Sequence, residues 1–288
     1  MNLLYLCATP IGNLEDMTFR AVRILREVNL IAAEDTRRTR KLLTHFDIHT
    51  PLIRFDENCK STVAEKILAR LQAGEDVAVV SDAGLPAISD PGADLVKLAV
   101  DAGIKVSPVP GANAALSALI CSGLDTTKFL FAGFAPKTQK NRREFLQKLA
   151  AVDATIIFYE APHRLKTFLT ELLEVFGNRH ATLARELTKV HEEFLRGTLD
   201  ELINTLDEPR GEFVVVVEGQ TSQVTPPVNE TVAQVVQKFI DAGHDKKSAM
   251  REAAKIFNVS RREIYNEVLG FRCQDLGITD ANTPTPDT

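Results

Sequence analysis

The sequence predicts an α/β protein with two lobes and a small all-helical module near its C-terminal end. Three observations predict it. Short β-branched runs alternate with helix-like stretches from the start to about residue 219, the pattern of strands buried between helices and paired largely in parallel. PVPGAN (108–113) interrupts that alternation, and GQTSQVTPPVN (219–229) ends it with a polar, Pro-containing break. Only helical patterns follow. The expected organisation is a first lobe over 1–111, a second over 112–219, a linker over 220–228, a helical module over 229–272 and a disordered tail over 273–288.

In chain order, strands are expected at Leu3 to Ala8, Leu30 to Glu34, Val77 to Ser81, Lys105 to Val109, Phe129 to Gly133, Thr155 to Tyr159, Thr182 to Glu186 and Phe213 to Glu218. Helices lie between most of them. MTFRAVRILREV places Ala21, Val22, Leu25 and Val28 on one face, and DLVKLAVDAG closes at Gly103. In the C-terminal module, Val232, Val235, Val236, Phe239 and Ile240 fall at i, i+3, i+4, i+7 and i+8 of a first helix. Met250, Ala253, Ala254 and Phe257 form the inner face of a second. Ser260 and Glu263 then have the spacing of a capping box opening a third.

Composition narrows the function. Charged residues are 25% and apolar residues 44% of 288, and no apolar run approaches the roughly 20 residues that span a bilayer. MNLLYLCATP lacks a basic region before its apolar stretch, so it is expected to be a strand rather than a signal peptide. Cys7, Cys59, Cys121 and Cys273 are scattered, and the histidines lack ligand spacing. The expectation is no metal, no membrane and a cytoplasmic location.

The net charge of −5 does not announce a nucleic-acid binder, but basic residues cluster. RRTRK contributes Arg37, Arg38 and Arg40, and KTQKNRREFLQK contributes Lys140, Arg142 and Arg143. Lys246, Lys247, Arg261 and Arg262 lie in the helical module, which carries seven Lys/Arg against four Asp/Glu from Asp245 to Arg272. Cations in the first turn of a helix oppose its dipole, whereas a nearby phosphate reverses that cost. Each cluster alone reads as a solvated face; three in one acidic chain point to RNA or DNA.

Polar residues gather at strand ends, where open α/β sheets bind ligands. SDAGLPAISDPG follows one strand, ATPIGNLED another and AAEDTRRT a third. FYEAPHR and ARELTKVHEE follow two more. No G-x-G-x-x-G or G-K-[ST] opens any of these loops, which argues against a dinucleotide or a nucleoside triphosphate.

TPIGNL, AAEDTR, VSDAGLPAISDPG, PGANAALSAL, FYEAPHR, ARELTK and GEFVVVVEG occur in this order. As a set they resemble the ribosomal RNA 2′-O-methyltransferases of the tetrapyrrole (corrin/porphyrin) methylase superfamily, over nearly the whole chain. The resemblance implies a two-lobed fold binding S-adenosylmethionine between the lobes, and a homodimer. It also implies methylation of a cytidine ribose in the decoding centre of 16S rRNA, in the small ribosomal subunit. By position it implies cofactor contacts from Pro10, Ser81, Asp82, Ala83, Ile88, Asn113, Ala114, Glu160, Gly211 and Glu212. Glu34, Asp35 and Lys189 are strand-end groups that match those contacts less well, which makes them the candidate catalytic groups. Leu85, GAN (111–113) and FDEN (55–58) depart from the usual pattern. Two other readings stay open: a tetrapyrrole methylase with a dimerising helical tail, and a DNA-binding regulator that senses S-adenosylmethionine.

Overall fold

The computed structural model describes residues 2–57, 59–88, 90, 92–220, 231–257, 259 and 264–265. The chain divides into two compact units, Met1–Gln220 and Thr221–Thr288.

The first sheet of the larger unit is built from β1 (Leu3–Cys7), β2 (Leu30–Ala33), β3 (Leu52–Arg54), β4 (Val77–Val80) and β5 (Lys105–Val109), in the order β3-β2-β4-β1-β5. Every pairing in it is parallel. Helices α1 (Phe19–Glu27), α2 (Thr36–His45), α3 (Lys60–Gln72) and α4 (Gly92–Asp101) make the crossovers. β2 and β4 are buried at all four positions, which is why LIAA and VAVV are continuously apolar rather than alternating. Their side chains divide by period 2 between two cores: Ala32, Val77 and Val79 face one, and Ile31, Ala33, Ala78 and Val80 face the other.

After α5 (Ala114–Ser122), the second sheet is built from β6 (Phe129–Phe134), β7 (Thr155–Glu160), β8 (His180–Arg185), β9 (Glu193–Thr198) and β10 (Phe213–Val217), in the order β6-β7-β10-β8-β9. Helices α6 (Gln139–Leu149), α7 (Pro162–Phe176) and α8 (Leu199–Thr205) complete it. Here the expectation of largely parallel pairing fails. Only β6 and β7 are parallel; β10 runs antiparallel to both neighbours, and β8 pairs antiparallel with β9. The connection from β8 to β9 is residues 186–192, too short for the crossover that a parallel pair needs. β3 and β9 were not expected from the sequence. β3 is three residues long, and EFLRGT of β9 is a polar edge strand without a buried apolar run.

The smaller unit holds α9 (Val232–Asp241) and α10 (Lys246–Phe257). Val232, Val235, Val236, Ala249, Met250, Ala253 and Ile264 form its core. Thr231 opens α9 with a capping box closed by Gln234. The expected cap at Ser260 and Glu263 lies outside the described residues, as do Arg261 and Arg262. Among the described residues, no helix is long and apolar enough to cross a membrane.

Candidate active site

Because all strands of the first sheet are parallel, their carboxyl ends share one edge, and the loops after β1, β2, β4 and β5 meet there. Thr9 and Gly84 exchange two backbone hydrogen bonds, of 2.9 and 3.0 Å, which stitch the first loop to the one after β4. The hydroxyl of Thr9 donates to the Ser81 carbonyl (3.1 Å), and that of Ser81 donates to the Gly84 carbonyl (3.2 Å). Gly84 has φ +78°, a conformation that an L side chain adopts at a cost. Asp82 crosses to the next loop: its Oδ1 accepts from the Asp35 amide (3.0 Å) and its Oδ2 lies 3.4 Å from Arg38.

These loops form one wall of a cavity of about 470 Å³, within the usual range for a small-molecule site. The other wall comes from the second sheet, through Phe134, Tyr159, Glu160, Ala184, Glu212 and Val214. Ile11, Leu187 and Val214 give it an apolar side. Asn113 lies at the start of α5, where its side chain caps the helix by accepting from the Leu116 amide (2.9 Å).

The polar side of the cavity is acidic. Glu34, Asp82, Asp90, Glu160 and Glu212 all line it. Burial raises the pKa of Glu34, and the charges of Asp82 and Asp90 add to that rise. Burial also raises Asp90 and Glu160. Asp90 Oδ1 accepts from the Ala87 and Gly92 amides at 2.7 Å each, but its Oδ2 is buried without a hydrogen bond. Glu160 Oε1 accepts from the Ala161 amide (2.8 Å). Its buried Oε2 has Arg164 at 3.3 Å but no hydrogen bond of good geometry. A cavity lined by this many carboxylates suits a ligand that brings positive charge.

The model of the family Tetrapyrrole (Corrin/Porphyrin) Methylases matches residues 3–203. The chain belongs to this family. Curated members named ribosomal RNA small subunit methyltransferase I are closely similar. That of Halalkalibacterium halodurans is 50% identical over 91% of this chain and 93% of its own length. That of Bacillus subtilis is 47% identical over 92% and 94%. That of Synechocystis is 48% identical over 92% and 96%. Among solved structures, the uroporphyrin-III-C-methyltransferase of Thermus thermophilus matches with a TM-score of 0.54 at 21% identity, over 75% of this chain and 94% of that one. A diphthine synthase matches with a TM-score of 0.58 at 14% identity, over 76% and 90%. At these identities the likeness is one of fold.

In this tetrapyrrole-methylase fold, Ser81, Asp82, Ala83, Ile88, Asn113, Ala114, Glu160 and Glu212 all line the main cavity. Two of the expected cofactor residues do not. Pro10 lines a smaller neighbouring cavity. Gly211 (φ +92°) packs against Glu186, whose carboxylate would lie 2.6 Å from a Cβ at that position, so the glycine makes room for Glu186. Glu186 Oε1 in turn accepts from the Glu212 amide (2.8 Å).

Of the catalytic candidates, Glu34 alone lines the main cavity. Asp35 accepts from the Arg37 guanidinium at 3.0 and 3.2 Å, which lowers its pKa to about 2. Lys189 donates to Glu186 (2.9 Å) and Glu212 (2.8 Å). Burial works against its charge, but the two carboxylates outweigh burial and its pKa is raised, opposite to what a base requires.

Among the basic candidates, Arg38 reaches the cavity, Arg40, Lys140, Lys246 and Lys247 are exposed, and Arg143 is an exposed partner of Glu174. Arg142 is a correction. It is 7% exposed, bidentate to Glu171 and bonded to the Lys137 carbonyl, so it holds α6 to α7 and offers nothing to RNA. Among the described residues, no cluster of three or more His, Cys, Asp or Glu could hold a metal ion. Ile11, Phe134, Leu187 and Val214 escaped the sequence reading because apolar periodicity does not distinguish a cavity wall from a core.

Proposed function

We propose that this protein is an S-adenosylmethionine-dependent methyltransferase that acts on the 2′-oxygen of a cytidine ribose in the decoding centre of small-subunit ribosomal RNA. One observation carries the RNA reading. Similarity to the relatives named for ribosomal RNA spans about 269 aligned residues, more than the 220 of the larger unit, whereas the solved fold relatives cover 75–76% of the chain. The similarity to the rRNA enzymes therefore extends into the helical unit. On this reading 1–111 and 112–219 are the two lobes holding the cofactor, 220–228 links them to an RNA-contacting module at 229–272, and 273–288 is a tail. A homodimer and a cytoplasmic location complete the proposal. Leu116 and Ile120 on α5 and Phe129, Leu130 and Phe134 on β6 are exposed apolar residues suited to burial against a second copy.

The cavity fits S-adenosylmethionine in chemistry: an apolar side for a flat base, and an acidic side for a cationic ligand. That cofactor supplies an electrophilic methyl group on a sulfonium. The chain's task is to align the ribose hydroxyl with it, which can contribute about 7–11 kcal/mol. A new O–C bond would form as the sulfonium S–C bond broke, leaving a neutral thioether; the hydroxyl proton would have to leave, and Glu34 is the group placed to take it. Its raised pKa makes it a stronger base than an ordinary carboxylate. Asp35 and Lys189 are better read as positioning groups, engaged with Arg37 and with Glu186 and Glu212.

Methyl transfer from labelled S-adenosylmethionine to small ribosomal subunits, naked ribosomal RNA and a tetrapyrrole tests the proposal. Label on a ribose 2′-oxygen is expected; label on the tetrapyrrole alone overturns it. Deleting 225–288 is expected to weaken RNA binding and leave S-adenosylmethionine binding intact. Loss of both together would make the module a structural cap. Glu34→Gln is expected to lower kcat by about 10²–10⁴-fold. It should also stabilise the protein at neutral pH. A carboxylate whose folded pKa is raised opposes folding once ionised, so the Gln variant gains in thermal midpoint at pH 7.5 and loses that gain as pH falls through the folded pKa. An unchanged kcat removes Glu34 from the chemistry.

A further inference from the structure

Beside the main cavity lies a second one of about 270 Å³, and the two share Arg38, Ser81 and Asp82. Its character is different. Pro10, Leu14 and Leu42 give it apolar walls, and Arg38 and Lys41, three residues apart on α2, give it positive charge. Leu14 is 42% exposed although large and apolar. The carboxylate of Asp82 is already engaged by the Asp35 amide and by Arg38. Lys41 is exposed, and no acid pairs with it among the described residues.

We propose that this second cavity is a subsite for the RNA strand, taking the phosphodiester and sugar of the nucleotide next to the one that is methylated. The inference rests on the ribosomal RNA reading above. Cations on one side and apolar walls on the other match a ligand that is anionic at one end and carries a sugar or base face at the other. At about 270 Å³ the cavity has room for a phosphate with its ribose. The shared wall sets the order of the strand. A nucleotide whose ribose enters the main cavity past Asp82 leaves its neighbouring phosphate at Arg38 and Lys41. Lys41 supplies a free charge there, and Arg38 can turn from Asp82 to the phosphate without leaving the wall.

The test compares wild type, Lys41→Ala, Lys41→Arg and Lys97→Ala in the full-length protein. Lys97 is an exposed lysine on α4 that lines neither cavity, so its loss removes the same charge elsewhere. Three quantities are read: KM for small subunits across a salt series, kcat, and the Kd for S-adenosylmethionine by calorimetry. Lys41→Ala is expected to raise KM about five- to tenfold and to reduce the slope of log KM against log salt by about 0.7, the signature of one lost single-strand phosphate contact. The Kd should stay within a factor of about two, Lys41→Arg should restore most of the KM, and Lys97→Ala should change it little. Equal effects of Lys41→Ala and Lys97→Ala, or none from Lys41→Ala, overturn the subsite and leave the rRNA reading standing. If the wild type binds S-adenosylmethionine but methylates no RNA, the reading and the subsite both fall.

Discussion

Replacing Glu171 with Ala is expected to destabilise the larger unit by about 3–5 kcal/mol, because it strands a buried guanidinium. Arg142 and Glu171 are both nearly inaccessible, with side chains 9% and 11% exposed. Two parallel contacts join them, Nε to Oε2 and Nη2 to Oε1, the latter at 2.7 Å. The remaining amino group donates to the carbonyls of Lys137 (3.0 Å) and Pro136 (3.3 Å). Without the carboxylate, only those two dipoles remain to hold a full charge out of water. Urea unfolding should show the loss. Glu171→Gln, which keeps hydrogen-bonding capacity, should lose less. The pair Arg142→Met with Glu171→Met should recover most of the stability, since removing both charges also removes their desolvation cost. Activity should fall with stability in Glu171→Ala. The Pro136 carbonyl is also held by Arg164 (3.3 Å), which flanks Glu160, and the segment follows Phe134 on the cavity wall. A destabilisation below about 1 kcal/mol would mean that the pair hydrates freely once broken.

Arg142 also marks where sequence reading reaches its limit. Within KTQKNRREFLQK nothing local separates Arg142 from Arg143. One is buried against a carboxylate 29 residues away and the other is exposed, and only the packing of α6 on α7 decides between them. The first sheet was legible because its strands are buried on both faces and connected by full crossovers, so local pattern and tertiary role agree. The second was less legible. Phe213 to Val217 is as apolar as any parallel strand, yet it runs antiparallel between β7 and β8, and a strand's direction leaves no trace in its own residues. Much of the cavity's polar wall was legible because its acidic residues lie at strand ends, where open α/β sheets bind ligands. Its apolar wall was not. Lys41 was passed over within RRTRK for a related reason: which residues of a basic run face a cavity depends on helix phase and on Leu14, 27 residues earlier.

Asp82→Asn is expected to weaken cofactor binding and to move the pH profile together, with little effect on the fold. The carboxylate works in two directions. Its Oδ1 fixes the backbone at Asp35, an interaction that the Asn oxygen can keep, so the fold should survive and the thermal midpoint should move little. Its negative charge cannot be kept. That charge faces the main cavity and holds Arg38 at 3.4 Å, so removing it frees a cation beside a site proposed to take a cationic cofactor. The affinity for S-adenosylmethionine should fall by tenfold or more, about 1.4 kcal/mol or greater. A second effect follows through Glu34. Burial is the first cause of its raised pKa, but the Asp82 charge contributes in the same direction and Arg38 opposes it. Losing the Asp82 charge lowers the Glu34 pKa, and an Arg38 released from its partner lowers it further. If Glu34 accepts the hydroxyl proton, the acidic limb of the pH profile of kcat/KM should therefore move to lower pH in Asp82→Asn, while the residual rate at the plateau falls with the weaker base. Measuring that limb in both proteins separates two roles that a single rate cannot. A shift together with weaker cofactor binding places Asp82 between cofactor and base. Weaker binding with an unmoved limb leaves Asp82 a cofactor contact alone and moves the proton acceptor away from Glu34.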